Sequence, residues 1–221
     1  MAIKRRGAEV DEVLNKKGVD FKKAIIRLKD GEGVRVRILS PNDYVEYDSH
    51  GSFTKSIYTQ PCAGEDCPLC LAYKEGGEEW KDLKVTPRYV FAFGDLDTGE
   101  IRFWDASKSQ ARKLISQIKE YKDDLGEFAF NFKRTGSGKS TDYSLNLIPR
   151  LKKEDEVKFK VFDGMVVEDE LFEAVCSPRP KKYMVKALKE AGFPVEKYFA
   201  DILAELESAE TETTENEEDL F

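Results

Sequence analysis

The chain has 221 residues, 40% of them hydrophobic and 36% charged, which is enough for one sizeable core and a small appended module. No apolar run approaches the ~18 residues that span a membrane, and no apolar signal core follows the basic start Met1-Ala-Ile-Lys-Arg-Arg6, so a soluble, cytoplasmic protein is expected. The net charge of −7 is unevenly spread: nine acids and no lysine or arginine lie in residues 201–221, leaving +2 on residues 1–200. Such asymmetry fits a nucleic-acid-binding body with an acidic interaction tail, although a solvated end that aids solubility has the same composition.

Residues 1–30 read as a basic arm punctuated by Lys4-Arg5-Arg6, Lys16-Lys17 and Lys22-Lys23. Residues 31–207 form the core. Its first strand, Gly33–Leu39, alternates: Val34, Val36 and Ile38 turn inward, while Arg35 and Arg37 face out, well placed for phosphates. Residues 44–58 read as one hairpin broken at Ser49-His50-Gly51, with Tyr47, Phe53, Lys55 and Tyr58 along it. A short helix is expected over Pro68–Glu75, stopped by Gly76-Gly77. Pro87–Phe93, carrying Arg88 and Tyr89, turns at Gly94–Gly99 and pairs with Glu100–Asp105, which carries Arg102 and Trp104. Ser107 caps an amphipathic helix marked by Ala111, Leu114, Ile115 and Ile118 and ending near Tyr121. Glu127–Arg134, ending in Lys133 and Arg134, forms a hairpin with Tyr143–Ile148. Its turn, Gly136-Ser-Gly-Lys-Ser140, lacks the spacing of a phosphate-binding loop. Val157-Lys-Phe-Lys-Val161 reads as a further strand, and 181–191 and 194–207 as two helices split by Gly192-Phe-Pro194. Residues 208–221 form a disordered acidic tail, too polar to fold, ending in Asp219-Leu220-Phe221.

One stretch concentrates the chemistry. His50, Cys62, Cys67 and Cys70 gather the only histidine and three of the four cysteines into 21 residues. Three thiolates and an imidazole are the donor set of a tetrahedral structural zinc, and Cys67-Pro-Leu-Cys70 is the usual knuckle half. Three other readings stay open: free surface thiols, a redox pair at Cys67 and Cys70, and a zinc site in which Cys176 replaces His50. A fully ligated zinc has no open position for water, and no catalytic constellation is visible, so a binding protein rather than an enzyme is expected.

Short strands with one late helix give a mainly β, α+β fold of the OB type: a partly open Greek-key barrel with a zinc-stabilised subdomain. Aromatics interleaved with basic residues match single-stranded nucleic-acid grooves. Phe128, Phe130 and Phe132 share one strand face and read as core. The ring candidates for stacking are Tyr47, Phe53, Tyr58, Tyr89 and Trp104. The basic candidates are Arg35, Arg37, Lys55, Arg88, Arg102, Lys133 and Arg134.

The run His50-Gly-Ser-Phe53 … Cys62 … Cys67-Pro-Leu-Cys70 resembles the zinc element of the single-stranded DNA-binding, helix-destabilising proteins of T-even-type bacteriophages. Arg88-Tyr89, the Ile101–Asp105 strand with its following helix, and the acidic tail continue the likeness in order. The resemblance implies an OB-fold core that coats single strands without strong sequence preference during replication, recombination and repair. It also implies one structural Zn²⁺ on His50, Cys62, Cys67 and Cys70, a basic arm contacting the neighbouring protomer, and a tail that recruits replication and recombination proteins. A bacterial host cytoplasm would then be the setting. The gap from Cys62 to Cys67 is shorter than in that family, and the Asp219-Leu220-Phe221 end is closer to bacterial single-strand binders. The alternative is a zinc-containing transcription or replication accessory factor that binds protein through an OB-like barrel.

Overall fold

The structure, a computed structural model, describes residues 21–205. Most of the basic arm (1–20) and the tail with Asp219, Leu220 and Phe221 lie outside the described residues. The fold is mixed α+β. Its strands are β1 (Gly33–Arg37), β2 (Tyr44–Ser52), β3 (Ile57–Pro61), β4 (Thr86–Asp95), β5 (Ile101–Ala106), β6 (Ala129–Thr135) and β7 (Asp142–Ile148). They form a mostly antiparallel sheet in the order β3-β2-β4-β1-β6-β7, with β5 paired to β4. The helices are α1 (Phe21–Ala24), α2 (Pro68–Glu75), α3 (Lys108–Glu120), α4 (Lys153–Lys160), α5 (Asp169–Val175) and α6 (Lys181–Glu190). No helix among the described residues is long and apolar enough to cross a membrane. The described residues divide into a sheet unit, 21–44 and 90–175, and a second unit, 45–89 and 176–205.

In the sheet unit the aromatic-rich strands supply the core. Phe91, Phe93, Phe103, Phe130 and Phe132 are buried, and Phe93 and Trp104 each pack on Phe132, with centroids 5.3 and 4.8 Å apart. Gly33 to Val36 of β1 pair with Lys133 to Phe130 of β6. Helix α3 starts at Ser107, whose backbone N–H donates to Gln110 Oε1 at 2.9 Å, the return bond of a capping box. It buries Ala111, Leu114 and Ile118.

Two expectations in this unit are corrected. Residues 153–160 form a helix where a strand over Val157–Val161 was read. Its Glu154, Asp155 and Glu156 open the first turn, and Lys158 and Lys160 close the last, complementing the helix dipole. Asp155 and Phe159, one turn apart, are buried while Val157 and Val161 are exposed, so the true period is helical. Arg37 does not face out: it is buried, because β1 is covered on that side by α4 and the turn after it.

The second unit packs α2, α6 and the 3₁₀ segment Gly77–Leu83 around Leu69, Trp80, Leu83, Met184, Val185 and Leu188. Helix α2 has the predicted bounds. The hairpin turn does not lie at Ser49-His50-Gly51. Strand β2 continues through His50 to Ser52, and the turn follows at 53–56, where Ser56 takes φ 55°. Gly51 serves close approach instead: a Cβ there would meet Thr59 Oγ1 at 2.9 Å and Thr59 Cα at 3.1 Å. The register shifts between His50 and Ser52, a bulge that re-aims side chains at this point. After α6 the expected second helix is interrupted: a 3₁₀ turn covers Val195–Lys197, and helix resumes only at 200–205.

Candidate metal centre and the exposed hairpin

Strand β2 supplies His50, the end of β3 leads to Cys62, and α2 begins between Cys67 and Cys70. Pro68 at the first helical position sets the φ that starts α2 without wasting an N–H. Gly64, two residues after Cys62, takes φ 80° and folds the connection back. Its N–H points at Cys62 Sγ, 3.4 Å away.

The four ligand atoms of His50, Cys62, Cys67 and Cys70 lie within 4.8 Å of one another. Cys62 Sγ is 3.6 Å from Cys70 Sγ, and Cys70 Sγ is 3.3 Å from His50 Nε2. A tetrahedral ion bonded at ~2.0–2.3 Å sets its ligand atoms about 3.3–3.8 Å apart, so the cluster can hold one metal ion. Cys176 lies outside it. No disulfide joins the described cysteines, and Cys67 is almost fully buried, unlike the accessible nucleophile a redox pair needs.

His50 is completely buried, and its Nδ1 lies 2.6 Å from Leu83 O. Donating there puts the proton on Nδ1 and turns the Nε2 lone pair toward the sulfurs, the usual outer-shell arrangement for a ligating imidazole. Burial resists charge on Cys67, His50 and Cys70; local contacts oppose it at the first two and add to it at the third. Burial raises the Cys67 thiol, yet His50 and the N–H groups of Ala63 and Cys70 bring it down to about 6. Burial lowers His50, yet contacts with Cys67, the Leu83 carbonyl and Cys62 raise it to about 9. Burial, then the Cys62 and Cys67 sulfurs, push Cys70 up to about 12. Binding a dication there would expel the protons that the cluster still carries.

Beyond the cluster, the hairpin tip presents Phe53 at 100% exposure and Tyr58 at 83%. They line a cleft of about 370 Å³ with Gly51, Ser52, Ser56, Ile57 and Thr59. Lys55 is half-buried, 3.6 Å from Glu79 Oε2 and 4.5 Å over the Trp80 ring. Tyr47, Arg88 and Tyr89 are half-buried and engaged within the protein.

The other candidates lie in the sheet unit, mostly tied down. Arg35 pairs with Asp97 and donates to Asp155 Oδ2 at 2.8 Å. Arg37 donates to Phe159 O at 2.8 Å and Asp163 Oδ1 at 2.6 Å, with its guanidinium 4.1 Å over the Phe159 ring. Arg102 spans Lys23 O, Ile25 O and Asp95. Arg134 donates to Leu28 O at 2.6 Å, while its Nε is buried without a partner. Trp104 is 3% exposed, wedged between Phe132 and Tyr143, which leaves its ring no free face. Lys133 is half-buried on β6. The structure thus brings the four potential ligands together and sets Phe53, Lys55 and Tyr58 at one end of the β2–β3 hairpin, but does not gather the strand arginines into an open surface.

Two features escaped the sequence reading. The Leu83 carbonyl leaves no mark in a sequence. The Cys62-x-Gly64 spacing was a usable sign of the turn that aims an N–H at a sulfur. Comparison with protein-family models and with curated proteins finds no match for the chain.

Proposed function

We propose that the protein binds single-stranded DNA without strong sequence preference, protecting it and melting its secondary structure during replication, recombination and repair. The observation that carries this reading is the end of the β2–β3 hairpin: two exposed rings, Phe53 and Tyr58, on the hairpin whose first strand carries His50 of the candidate cluster. Leaving two large rings in water forgoes about 1.5–3 kcal/mol of burial each. A partner that covers them recovers that energy, and unpaired bases stack on such rings at ~1–3 kcal/mol apiece.

The metal in this reading is one structural zinc, held by His50, Cys62, Cys67 and Cys70. Three thiolates and an imidazole favour it over harder cations. It supplies rigidity rather than chemistry. The sole histidine is committed to that cluster, so the function is binding and not catalysis.

The sheet unit supports an OB-type barrel. Leaving aside β2 and β3, its strands follow the path β5-β4-β1-β6-β7. Helix α3 lies between β5 and β6 in the chain and touches both β5 and β7, the two ends of that path. Trp104 of β5 meets Tyr143 of β7 at 4.6 Å between centroids. A five-stranded path whose ends share side chains and a helix fits the reading of a partly open Greek-key barrel, in which the candidate metal element is inserted in the chain between β1 and β4. The tail is read as the recruiter of replication and recombination proteins, and the basic arm as the contact to a neighbouring protomer on DNA.

The test is anisotropy of labelled oligo(dT) against a duplex of equal length, at two salt concentrations, with zinc measured in the same sample. The expected result is about one zinc per chain and salt-sensitive binding of the single strand, several-fold tighter than of the duplex. Binding neither, with zinc present, would overturn the proposal in favour of a protein-binding barrel.

A further inference from the structure

Two exposed rings hold a base well only if their backbone is fixed beforehand, because ordering a loose turn on binding offsets what stacking contributes. The turn at 53–56 carries Ser56 at φ 55°, in the left-handed region that a serine keeps only where its surroundings hold it. Side-chain bonds do the holding. The Lys55 backbone N–H donates to Ser52 Oγ at 3.2 Å, and Thr54 Oγ1 donates to Asp82 Oδ2 at 2.9 Å. Ser52 Oγ and Thr54 Oγ1 lie 3.0 Å apart. Since Thr54 gives its proton to a carboxylate, the proton between the two hydroxyls comes from Ser52. The result is one directed chain, from the Lys55 N–H through Ser52 and Thr54 to Asp82. It ends on a charge, and such chains strengthen along their length.

Asp82 belongs to the 3₁₀ segment Gly77–Leu83, which is itself tied to the candidate cluster. The carbonyl of Leu83 lies 2.6 Å from His50 Nδ1. Trp80 is buried against Gly76 at the end of α2, where a Cβ would run into the indole ring. Helix α2 carries Cys70. The segment reaches the turn a second time through Lys55, whose Nζ sits 4.5 Å over the Trp80 ring and 3.6 Å from Glu79 Oε2. Residues 77–83 therefore touch a candidate ligand at one end and the ring-bearing turn along their length.

Resting on the single-strand reading, we propose that Asp82 is a positioning residue for the bound strand. Through the Thr54 hydroxyl it fixes the 53–56 turn and so sets where Phe53 and Tyr58 meet bases; the strand touches the rings, not the carboxylate. Charge alone predicts the opposite sign. Asp82 is exposed, and an exposed carboxylate beside a polyanion repels it, so its removal would tighten binding. Loss of a positioning bond weakens it.

The experiment uses the full zinc-loaded chain. Anisotropy of labelled oligo(dT) at low salt compares wild type with Asp82→Ala, Asp82→Asn and Thr54→Val, and repeats Asp82→Ala in a Phe53→Ala background. Asp82→Ala and Thr54→Val should each weaken binding roughly 2- to 10-fold, the net contribution of one hydrogen bond, with zinc content kept. Asp82→Asn retains an acceptor for Thr54 and should bind close to wild type. In the Phe53→Ala background the loss from Asp82→Ala should shrink, as expected for residues that act through one another. In the free protein the Lys55 and Ser56 amides, bonded to Ser52 Oγ and Phe53 O, should exchange hydrogen faster in Asp82→Ala and Thr54→Val. Unchanged or tighter binding by Asp82→Ala, or an equal loss with and without Phe53, overturns the assignment. Zinc lost from both Asp82→Ala and Thr54→Val would make these residues supports of the cluster rather than of the turn, and also overturn it. A wild type that fails to bind oligo(dT) removes the single-strand reading, and the positioning role falls with it.

Discussion

In the sheet unit, basic residues and rings serve the fold: Arg35, Arg37, Arg102 and Arg134 close internal bonds, and Phe91, Phe93, Trp104 and Phe132 fill the core. In the second unit Trp80 and Phe193 are buried, but three further rings, Phe53, Tyr58 and Tyr183, are exposed. The difference follows from how each unit is held. A sheet with a large aromatic core satisfies buried polar groups by drawing charges inward. The second unit buries Trp80 and Phe193 among its helices and brings four potential ligands together, and it leaves Phe53, Tyr58 and Tyr183 at the surface.

The comparison breaks most severely at the clamp. If the cluster holds zinc as proposed, Cys70→Ser, or chelation, should unfold the second unit selectively, since apparent zinc-binding energies of ~10–16 kcal/mol match or exceed the stability of a whole domain. Hydrogen exchange should show residues 45–89 and 176–205 losing protection while 90–175 retain it. Equal protection of both segments without metal would show that the clamp is dispensable. Next, Trp104→Ala should cost about 3–5 kcal/mol of stability in the sheet unit, read by denaturant unfolding, with little change in oligo(dT) affinity where the variant is folded.

The third contrast concerns charge. Arg35→Ala leaves the buried Asp155 with only Lys158, 3.8 Å away. It should cost about 1–3 kcal/mol of stability without altering the salt slope of oligo(dT) binding. An unchanged stability with a shallower slope would return Arg35 to the binding surface. The smallest effect is expected at Asp43, whose carboxyl is raised to about 6 by burial, against a lowering bond from the Ser40 backbone. A folded-state pKa above the unfolded one means ionisation opposes folding, so this residue's destabilisation is present above about 6 and disappears as pH falls toward the ordinary carboxylate range. Asp43→Asn should therefore be slightly more stable than wild type at pH 7, with the gap closing at pH 4–5. Parallel pH–stability curves would refute the assignment.

Local pattern made much of this legible beforehand. Alternation gave β1, β4, β5, β6 and β7, and Pro68 with Gly76 bracketed α2. Clustering of the sole histidine with three cysteines picked out four side chains that the structure brings together. What local pattern could not supply was the partner of each charge. Arg35 and Arg37 alternate as surface residues do, but Asp155, Phe159 and Asp163 meet them from 120 to 126 positions away. The same distance hid α4, whose Val157-Lys-Phe-Lys-Val161 alternates like a strand until the acids ahead of it set a helix start. Trp104 looked like a stacking ring because β5 alone does not reveal that Tyr143 and Phe132 close over it.

Both tryptophans, Trp80 and Trp104, are buried, so a labelled strand reports binding better than intrinsic tryptophan emission does. The most direct measurement is anisotropy of labelled oligo(dT) with zinc-loaded wild type and with Phe53→Ala/Tyr58→Ala. The rings make no core contact, so the variant should keep its zinc and its unfolding midpoint. Its affinity should fall by about 1–3 kcal/mol per ring, roughly 5- to 150-fold for each. Undiminished affinity in a folded, zinc-loaded variant would contradict the claim that the metal-braced hairpin is where the strand is held.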